Sequence, residues 1–362
     1  MTDTGPRVAV IGVGLIGGSI GLAAQKRLGA AVTGFDTDHE ALARAAELGA
    51  ITDVAGSLAE AVADAEIVFC ATPVRSLPEV VTQACAAAPA AAAITDAGST
   101  KRGIVEHAGG IEGGARFIGG HPLAGAETAG VENARADLFE GARWYLTPTE
   151  QTEGIAYDRL QRFLAEIGAR PQAISAEYHD RMMATVSHLP HVLANVLVAQ
   201  ATETLAEESE RMPEAGPSFR DATRVAGANP GIWNDIYAMN ADALADEVEA
   251  TAARLGRIAE ALRSGDAGVL DEWQRRAAGQ RRSLAEAAAG GTLVELTLTV
   301  ENRPGAMAEI ALALGHAGVN IEDMALHPAA DMKTGAVTMW IAGEDGAARA
   351  REIVEGLGHS VA

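Results

Sequence analysis

A histidine stands in the stretch GGHPLAGAETAG, residues 119–130, where neither helical nor strand periodicity asks for one. His121 precedes a proline among small residues, and Glu127 follows six positions later. An imidazole titrates near neutral pH and can take or return a proton within one reaction. Two other strings offer groups that could work beside it. TDAGSTK, residues 95–101, carries Ser99 and Lys101, and SHLPHVLANVL, residues 187–197, carries His188 and His191. The two histidines are three apart and share a helical face. Singly, each has a plain structural reading, and a His-Pro step is commonly a turn. No cysteine or carboxylate set at ligand spacing accompanies the HxxH pair, so no metal is expected. Together they supply a proton acceptor, a hydroxyl and further imidazoles.

A dinucleotide motif precedes them. VAVIGVGLIGGSIG places Gly12, Gly14 and Gly17 between a strand and a helix, with Leu15 and Ile16 in the first helical turn. Gly12 permits the tight turn, Gly14 lets backbone approach a pyrophosphate, and Gly17 allows helix to lie on strand. The free N–H groups of the helix start face the phosphates. The second strand ends VTGFD at Asp36, 19 residues after Gly17. A carboxylate there accepts from a ribose diol and repels a 2′-phosphate, which favours NAD over NADP. FCATPVRS follows a later strand, and Thr72, Pro73 and Val74 in it are candidates to flank the nicotinamide or its ribose. A proline-initiated turn is the alternative there.

Three segments must position these groups. Up to about residue 175, the runs RVAVIG, AAVTGFD, EIVFCA, AAITDAG, ARFIGG and ARWYLTP alternate with Ala-rich helical stretches. That order predicts an α/β doubly wound, Rossmann-type domain: a parallel sheet with helices on both faces. Residues 176–290 show apolar positions at three- and four-residue spacing and almost no strand signal, predicting an all-α domain. SHLPH opens a helix there, with Pro190 in its first turn. The Ala-rich stripes of its long helices bury better against a second copy, which predicts a homodimer. Residues 291–362 begin after AAAGG. LVELTLTV alternates Val294, Leu296, Leu298 and Val300 on one face, and the helix AMAEIALALGHAG follows. The elements complete a small α+β module in the order βαββαβ.

Composition narrows the partners. Of 362 residues, 48% are apolar and 21% charged, a globular composition. Acidic residues outnumber basic ones 49 to 28, and the net charge of −21 opposes nucleic acid and anionic membrane. An anionic substrate would therefore need a dedicated cation. Two cysteines build no disulfide framework, and Cys70 reads as a small buried apolar residue. The start MTDTGPRVAVIG lacks the charge-then-apolar order of a signal peptide, and no run reaches the length of a membrane helix. A soluble, cytoplasmic protein is expected.

The strings GVGLIGGS, ATPVRS, DAGSTK, GGHPLAGAE, SHLPH and FRDATRVAGANPGIWNDI, within residues 12–236, together resemble the TyrA-type prephenate and arogenate dehydrogenases of tyrosine biosynthesis. The tail VENRPGAMAEIALALGHAGVNIEDM resembles an ACT domain, a small ligand-sensing module. The resemblance implies oxidation of a cyclohexadienol C4 hydroxyl, with hydride passing to NAD while the ring carboxylate leaves as CO2. On that pattern His121 matches the catalytic histidine and Ser99 the residue that hydrogen-bonds the same hydroxyl. Arg224 matches the carboxylate-binding arginine, with Asp221 placed to orient it or compete with it. His191 matches a second histidine near the substrate side chain, and Trp233 an aromatic of the pocket. Glu127 belongs to the same motif. Ala126, where many relatives carry threonine, and Pro217, where glycine is frequent, depart from the pattern.

In the tail, the resemblance implies an amino-acid site between paired modules. Asn302, Pro304, Gly305 and Ala306 of one loop, with Asn320 and Ile321 of the next strand, would form it, and L-tyrosine is the implied effector. Prephenate is favoured as substrate over arogenate because His191 is kept. A hydroxyacid dehydrogenase of the phosphoglycerate type would carry its nucleotide motif well inside the chain, unlike Gly12 here. A non-catalytic sensor of NAD and an amino acid would have no use for the Ser99, His121 and Arg224 set.

Overall fold

The structure is a computed structural model describing residues 5–124, 128, 130–206, 216–289, 293–301, 303, 306–328 and 334–361. The chain forms two compact units, residues 1–252 and 253–362.

The first unit opens with β1 (Arg7–Ile11), α1 (Leu15–Leu28), β2 (Ala31–Phe35), α2 (His39–Glu47), β3 (Asp53–Val54) and α3 (Leu58–Val62). It continues through β4 (Ile67–Cys70), α4 (Leu77–Ala87), β5 (Ala93–Asp96), α5 (Arg102–Gly109) and β6 (Phe117–Pro122). β7 (Arg143–Thr147), α6 (Gly154–Glu166) and β8 (Arg170–Ala173) complete an eight-stranded sheet of order β3-β2-β1-β4-β5-β6-β7-β8. Side chains of β1 alternate between the faces. Val8 and Val10 join one core with Ile20, Phe69, Trp144 and Leu160, whereas Ala9 and Ile11 join another with Val68, Leu77, Val81 and Ile104. Two buried faces explain why these strands read as continuous apolar runs. Cys70 sits in the second core, and burial raises its thiol pKa well above the ordinary value.

The expectation of an all-parallel sheet is corrected at one edge. β6 and β7 pair antiparallel, Gly119 opposite Thr147 and His121 opposite Tyr145. No α-helix lies between β6 and β7 among the described residues, so the chain turns back beside its own strand. Two strands escaped the sequence reading. β3 has two residues, and β8 is the polar, Pro-bearing edge run RPQA.

The helical run that follows does not begin at SHLPH. α7 (Ala176–Met183) starts at a Ser175 cap, widens into a π-helical turn over Ala184–His188, and continues as α8 (Leu189–Ala206). Pro190 would remove a helical N–H and crowd the carbonyl four residues back, and the wide turn relieves both. The stretch Ala176–Glu203 is, by length and composition alone, apolar enough to cross a membrane, which corrects the expectation that no run qualifies. Its inward side carries buried His179, Asp180, His188 and His191 among apolar residues, however, and exposed Val186, Val196 and Leu197 supply part of its apolar character. α9 (Pro217–Thr223), α10 (Pro230–Met239) and α11 (Ala241–Ser264) follow, the last leading into the second unit.

The second unit contains α12 (Ala267–Ala289), β9 (Leu293–Glu301), α13 (Ala306–His316), β10 (Ile321–Pro328), β11 (Thr334–Ala342), α14 (Glu344–Gly356) and β12 (Ser360–Val361). From β9 onward the order is βαββαβ, in an antiparallel sheet of order β10-β11-β9-β12. Leu296, Leu298 and Val300 alternate inward against Ile310, Leu314, Ala350 and Val354. α13, eleven residues and about 16 Å long, starts at Ala306, and Asn320 lies four residues past its end.

Candidate active site

The order of the large sheet reverses between β1 and β4, where open α/β sheets leave a crevice beyond the strand ends. A cleft of about 750 Å³ lies there, lined by Gly12, Gly14, Asp36, Thr72 and Pro73 among others. Gly12 has φ +92°, and a Cβ on it would fall 2.6 Å from the Ala71 carbonyl oxygen. A Cβ on Gly17 would fall 1.9 Å from the Gly12 carbonyl oxygen, so the helix can lie this close only without one. A Cβ on Gly14 would meet nothing within 4 Å. That open space lies at the start of α1, whose first turn carries no acidic residue and no side-chain cap. Asp36 is anchored by N–H donors from Val13 and Asp38, each at 2.9 Å. Thr72 Oγ1 is buried with no hydrogen-bond partner among the described residues. Open backbone donors, a fixed carboxylate and an unmatched hydroxyl fit a dinucleotide. Leu15, Ile16 and Val74 sit otherwise than expected. The first two are half-buried against the core, and Val74 is buried beneath the crevice with its methyl towards Gly98. None of the three lines the cleft.

Adjacent parallel strands β5 and β6 deliver the loop of Ser99 and the side chain of His121 to the same end of the sheet. Ser99 is half-buried in that loop. His121 Nδ1 lies 2.8 Å from His179 Nε2, and His179 Nδ1 lies 2.7 Å from Asp180 Oδ1. The Asp180 carboxylate also accepts the backbone N–H groups of Lys101, at 2.7 Å, and Arg102, at 2.8 Å. Beneath them Lys101 Nζ pairs with Asp96, both fully buried, while Asp96 accepts the N–H groups of Gly98 at 2.8 Å and Gly120 at 3.0 Å. Asn240 donates to the Asp180 carbonyl at 2.8 Å and lies 3.2 Å from His188 Nδ1. His191 stacks on Trp233 with ring centroids 3.6 Å apart and planes 4° from parallel. Its Nδ1 meets the Tyr237 hydroxyl, and its buried Nε2 has no partner among the described residues.

Burial governs the protonation of this cluster. It pushes His121 well below the ordinary imidazole value, helped by His179, Lys101 and His188. His179 and His191 are lowered for the same first reason, and His188 falls to about 4. Clustered imidazoles oppose one another's charging, so the site rests neutral. Asp180 goes the other way. Burial pulls its pKa up, but the hydrogen bonds from His179, Arg102 and Lys101 together outweigh that and hold it below the ordinary carboxylate value.

His121 thus joins a network with His188, and Trp233 joins His191. Trp233 also meets His188 edge-on and is half-buried against the core, so pocket lining and core anchor are both present. α10, which carries it, packs on the turn Val74–Ser76 beside the cleft. Arg224 and Asp221 are not in the buried cluster; both are exposed at the end of α9. Glu127, and Asn302, Pro304 and Gly305 of the tail, lie outside the described residues. His179, Asp180, Tyr237 and Asn240 were missed in the sequence. Nine residues of unbroken α-helix turn through about 900°, half a turn out of phase, so His179 and His188 read as opposite faces. The wide turn absorbs a residue and brings both to the buried side of the run. The HD pair at 179–180, at the head of the same helix, was the available signal.

Residues 20–173 match the family model for the prephenate dehydrogenase nucleotide-binding domain, and residues 175–276 that for the prephenate dehydrogenase dimerization domain. The chain is similar to the prephenate dehydrogenase of Bacillus subtilis (strain 168), 32% identical over 362 residues, with 98% of this chain and 96% of the relative covered. Among solved structures, prephenate dehydrogenase from A. aeolicus in complex with hydroxyphenyl propionate and NAD+ is 29% identical. That match covers 77% of this chain and 98% of the other, with a TM-score of 0.72. Synechocystis arogenate dehydrogenase is 25% identical with a TM-score of 0.66, covering 77% and 99%.

Two outcomes follow from the geometry. Gly17→Ala should lower the melting temperature, at a cost on the order of 1–3 kcal/mol. Gly14→Ala should leave it unchanged but weaken NAD binding about tenfold or more by calorimetry; equal effects of both would contradict the distinct environments. Stability should also fall in acid. With His188 at about 4 in the folded chain against 6.5 ordinarily, the unfolded chain binds more protons between those values. Its contribution, roughly 3 kcal/mol at 1.36 kcal/mol per pKa unit, is complete above pH 6.5 and lost towards pH 4. The melting temperature should fall from pH 7 to 4.5 accordingly, and His188→Gln should make that fall shallower.

Proposed function

The chain belongs to the prephenate dehydrogenase family, and we propose that it converts prephenate to 4-hydroxyphenylpyruvate and CO2 with NAD+ as oxidant. The observation that carries the assignment of roles is the buried His121–His179–Asp180 array at the end of β6, in the same sheet as the dinucleotide cleft. NAD+ held by the Gly12–Gly17 turn and Asp36, with Thr72 and Pro73 at the cleft wall, supplies the hydride acceptor. His121 takes the C4 hydroxyl proton as hydride leaves the same carbon, and Ser99 hydrogen-bonds that hydroxyl. The resulting ring ketone draws in the electrons of the breaking C1–carboxylate bond. CO2 departs, the ring becomes aromatic, and the phenolic oxygen recovers its proton from His121. A base that rests neutral and holds its proton weakly suits this loan and return.

The substrate is a dicarboxylate approaching a protein of net charge −21. Arg224 supplies the fork-shaped cation for one carboxylate, with Asp221 orienting it. The Nε2 of His191, which has no partner among the described residues, faces the keto side chain, with the ring held by Trp233 and Tyr237. Likeness to an arogenate dehydrogenase supports arogenate as the second reading, since the two substrates differ only in a keto or amino side chain. Residues 1–175 hold the dinucleotide, 176–290 the substrate and a second copy, and 291–362 an ACT regulatory module. The βαββαβ order supports that module. Exposed Val186, Val196 and Leu197 support the homodimer. L-Tyrosine is the effector in this reading, and the enzyme works in the cytoplasm in tyrosine biosynthesis.

Steady-state assays with prephenate and arogenate, each with NAD+ and NADP+, should show fastest NADH formation with prephenate and NAD+. His121→Asn should lower kcat by about 10²–10⁴ while NAD affinity stays unchanged; near-normal turnover would remove His121 from its role. For the full-length chain, light scattering should give a dimer, and millimolar L-tyrosine should raise the melting temperature and inhibit turnover. A monomer would overturn the pairing, and indifference to tyrosine would overturn the effector.

A further inference from the structure

Asp180 accepts hydrogen bonds on both oxygens, since Lys101 and Arg102 aim backbone N–H groups at it and His179 Nδ1 is 2.7 Å away. A carboxylate so placed has no hydrogen to give, so the shared proton belongs to His179 Nδ1. His179 rests neutral in its buried position, so its Nε2 is a lone pair. The atom facing that lone pair at 2.8 Å is His121 Nδ1, which must therefore carry a hydrogen. His121 is also neutral, and only one of its nitrogens can be protonated. Each step leaves one choice, and the chain of choices ends at His121 Nε2.

We propose that His179 and Asp180 are positioning residues that hold His121 as its Nδ1–H tautomer, keep its basic lone pair on Nε2, and share the charge when Nε2 takes the substrate proton. This rests on the reading of His121 as proton acceptor. In the transfer, the substrate O–H bond breaks, an N–H bond forms at Nε2, and the oxygen electron pair closes the ring C=O as hydride passes to NAD+. The imidazolium formed can pass its Nδ1 proton to His179 Nε2, where the charge stands next to the Asp180 carboxylate. When CO2 leaves, the ring electrons reach the oxygen, it takes the Nε2 proton, and the Nδ1 proton shifts back. Nothing is consumed. One ionised carboxylate thus orders two imidazoles in series, whereas a single histidine backed by a carboxylate is the commoner arrangement.

The surroundings leave no competing partner of the right kind among the described residues. The titratable and charged groups facing the pair are Asp180 and His188 from the helical run, Lys101 at the head of α5, Asp96 at the end of β5, and Tyr145 on β7. Lys101 is committed to Asp96, and His188 Nδ1 to Asn240. Tyr145 meets His179 edge-on, and its hydroxyl donates to Met182 Sδ at 3.7 Å instead.

The test begins with the ligand-free, full-length protein labelled with ¹⁵N-histidine. At pH 8 the His121 resonances, assigned by their loss in His121→Asn, should report Nδ1–H with an unprotonated Nε2. An Nε2–H tautomer would overturn the proposal whether or not His121 proves to be the base. His179→Leu, which keeps bulk but offers no acceptor, should lower kcat about 100-fold or more with KM changed less than about threefold. It should also displace the acidic limb of the kcat–pH profile and blur the tautomer signal. His179→Gln, whose amide oxygen can still accept from His121 Nδ1, should recover about tenfold of that loss. A folded His179→Leu protein with wild-type kcat and pH profile would overturn the proposal, as would a Gln variant no better than Leu. If the Leu variant does not fold, the wild-type tautomer still decides.

Discussion

One carboxylate joins the two halves of this site. Asp180 sits near the start of the long helical run, yet it takes the first N–H groups of α5, which belongs to the dinucleotide-binding sheet. Those N–H groups have no partner inside their own helix and carry the positive end of its dipole. By satisfying them, Asp180 locks the helical run onto the loop that bears Ser99. Its other interaction reaches His179 and through it His121. A change in how the helical run docks would therefore alter the geometry at His121 at once. The carboxylate stays ionised because its three hydrogen bonds outweigh its burial.

A second buried charge lies below. The Lys101–Asp96 pair is wholly shielded from water, and such pairs seldom repay their desolvation by Coulomb attraction alone. Here Asp96 also takes two backbone N–H groups, from Gly98 and Gly120, that the ends of β5 and β6 would otherwise leave unmatched. The pair therefore fixes both the Ser99 loop and the strand residue next to His121. Its ammonium also discourages a resting proton on His121, supplementing burial. Neutral imidazoles in a chain of net charge −21 come from this local arrangement, which outweighs the long-range field.

Much of this was legible in the sequence, and the reasons differ by element. The dinucleotide turn was readable because Gly12 and Gly17 answer to backbone contacts that tolerate no Cβ, a constraint that leaves one residue type possible. The strands were readable where both faces are buried, and not at β8, where an edge position removes the apolar demand. His121 could be singled out because no periodicity explained it. His179 could not, because the phase of a helix is lost across a π-turn and the two histidines appear half a turn apart. The placement of Val74 in the core was equally hidden, since a short turn gives no sign of which side chain it buries. Pattern reading works where local geometry repeats, and active sites are where repetition is broken.

The helical run also departs from the usual rule for a helix on a domain surface. Its inward side mixes His179, Asp180, His188 and His191 with Met183, Ala184, Leu189 and Ala194, and its outward side carries Val186, Val196 and Leu197. A buried polar face is stable only when its groups satisfy one another, which the contacts with Asn240, Tyr237, Lys101 and Arg102 largely achieve. An apolar face towards water has no such internal remedy. Buried Met183, Ala184, Leu189 and Ala194 lie among the inward polar groups, so the helix is held by apolar contacts and the polar network together. Docking of the helix and order in the histidine cluster are therefore coupled. Protonating that cluster would weaken both together, because each imidazole that charges removes an acceptor on which the next contact relies.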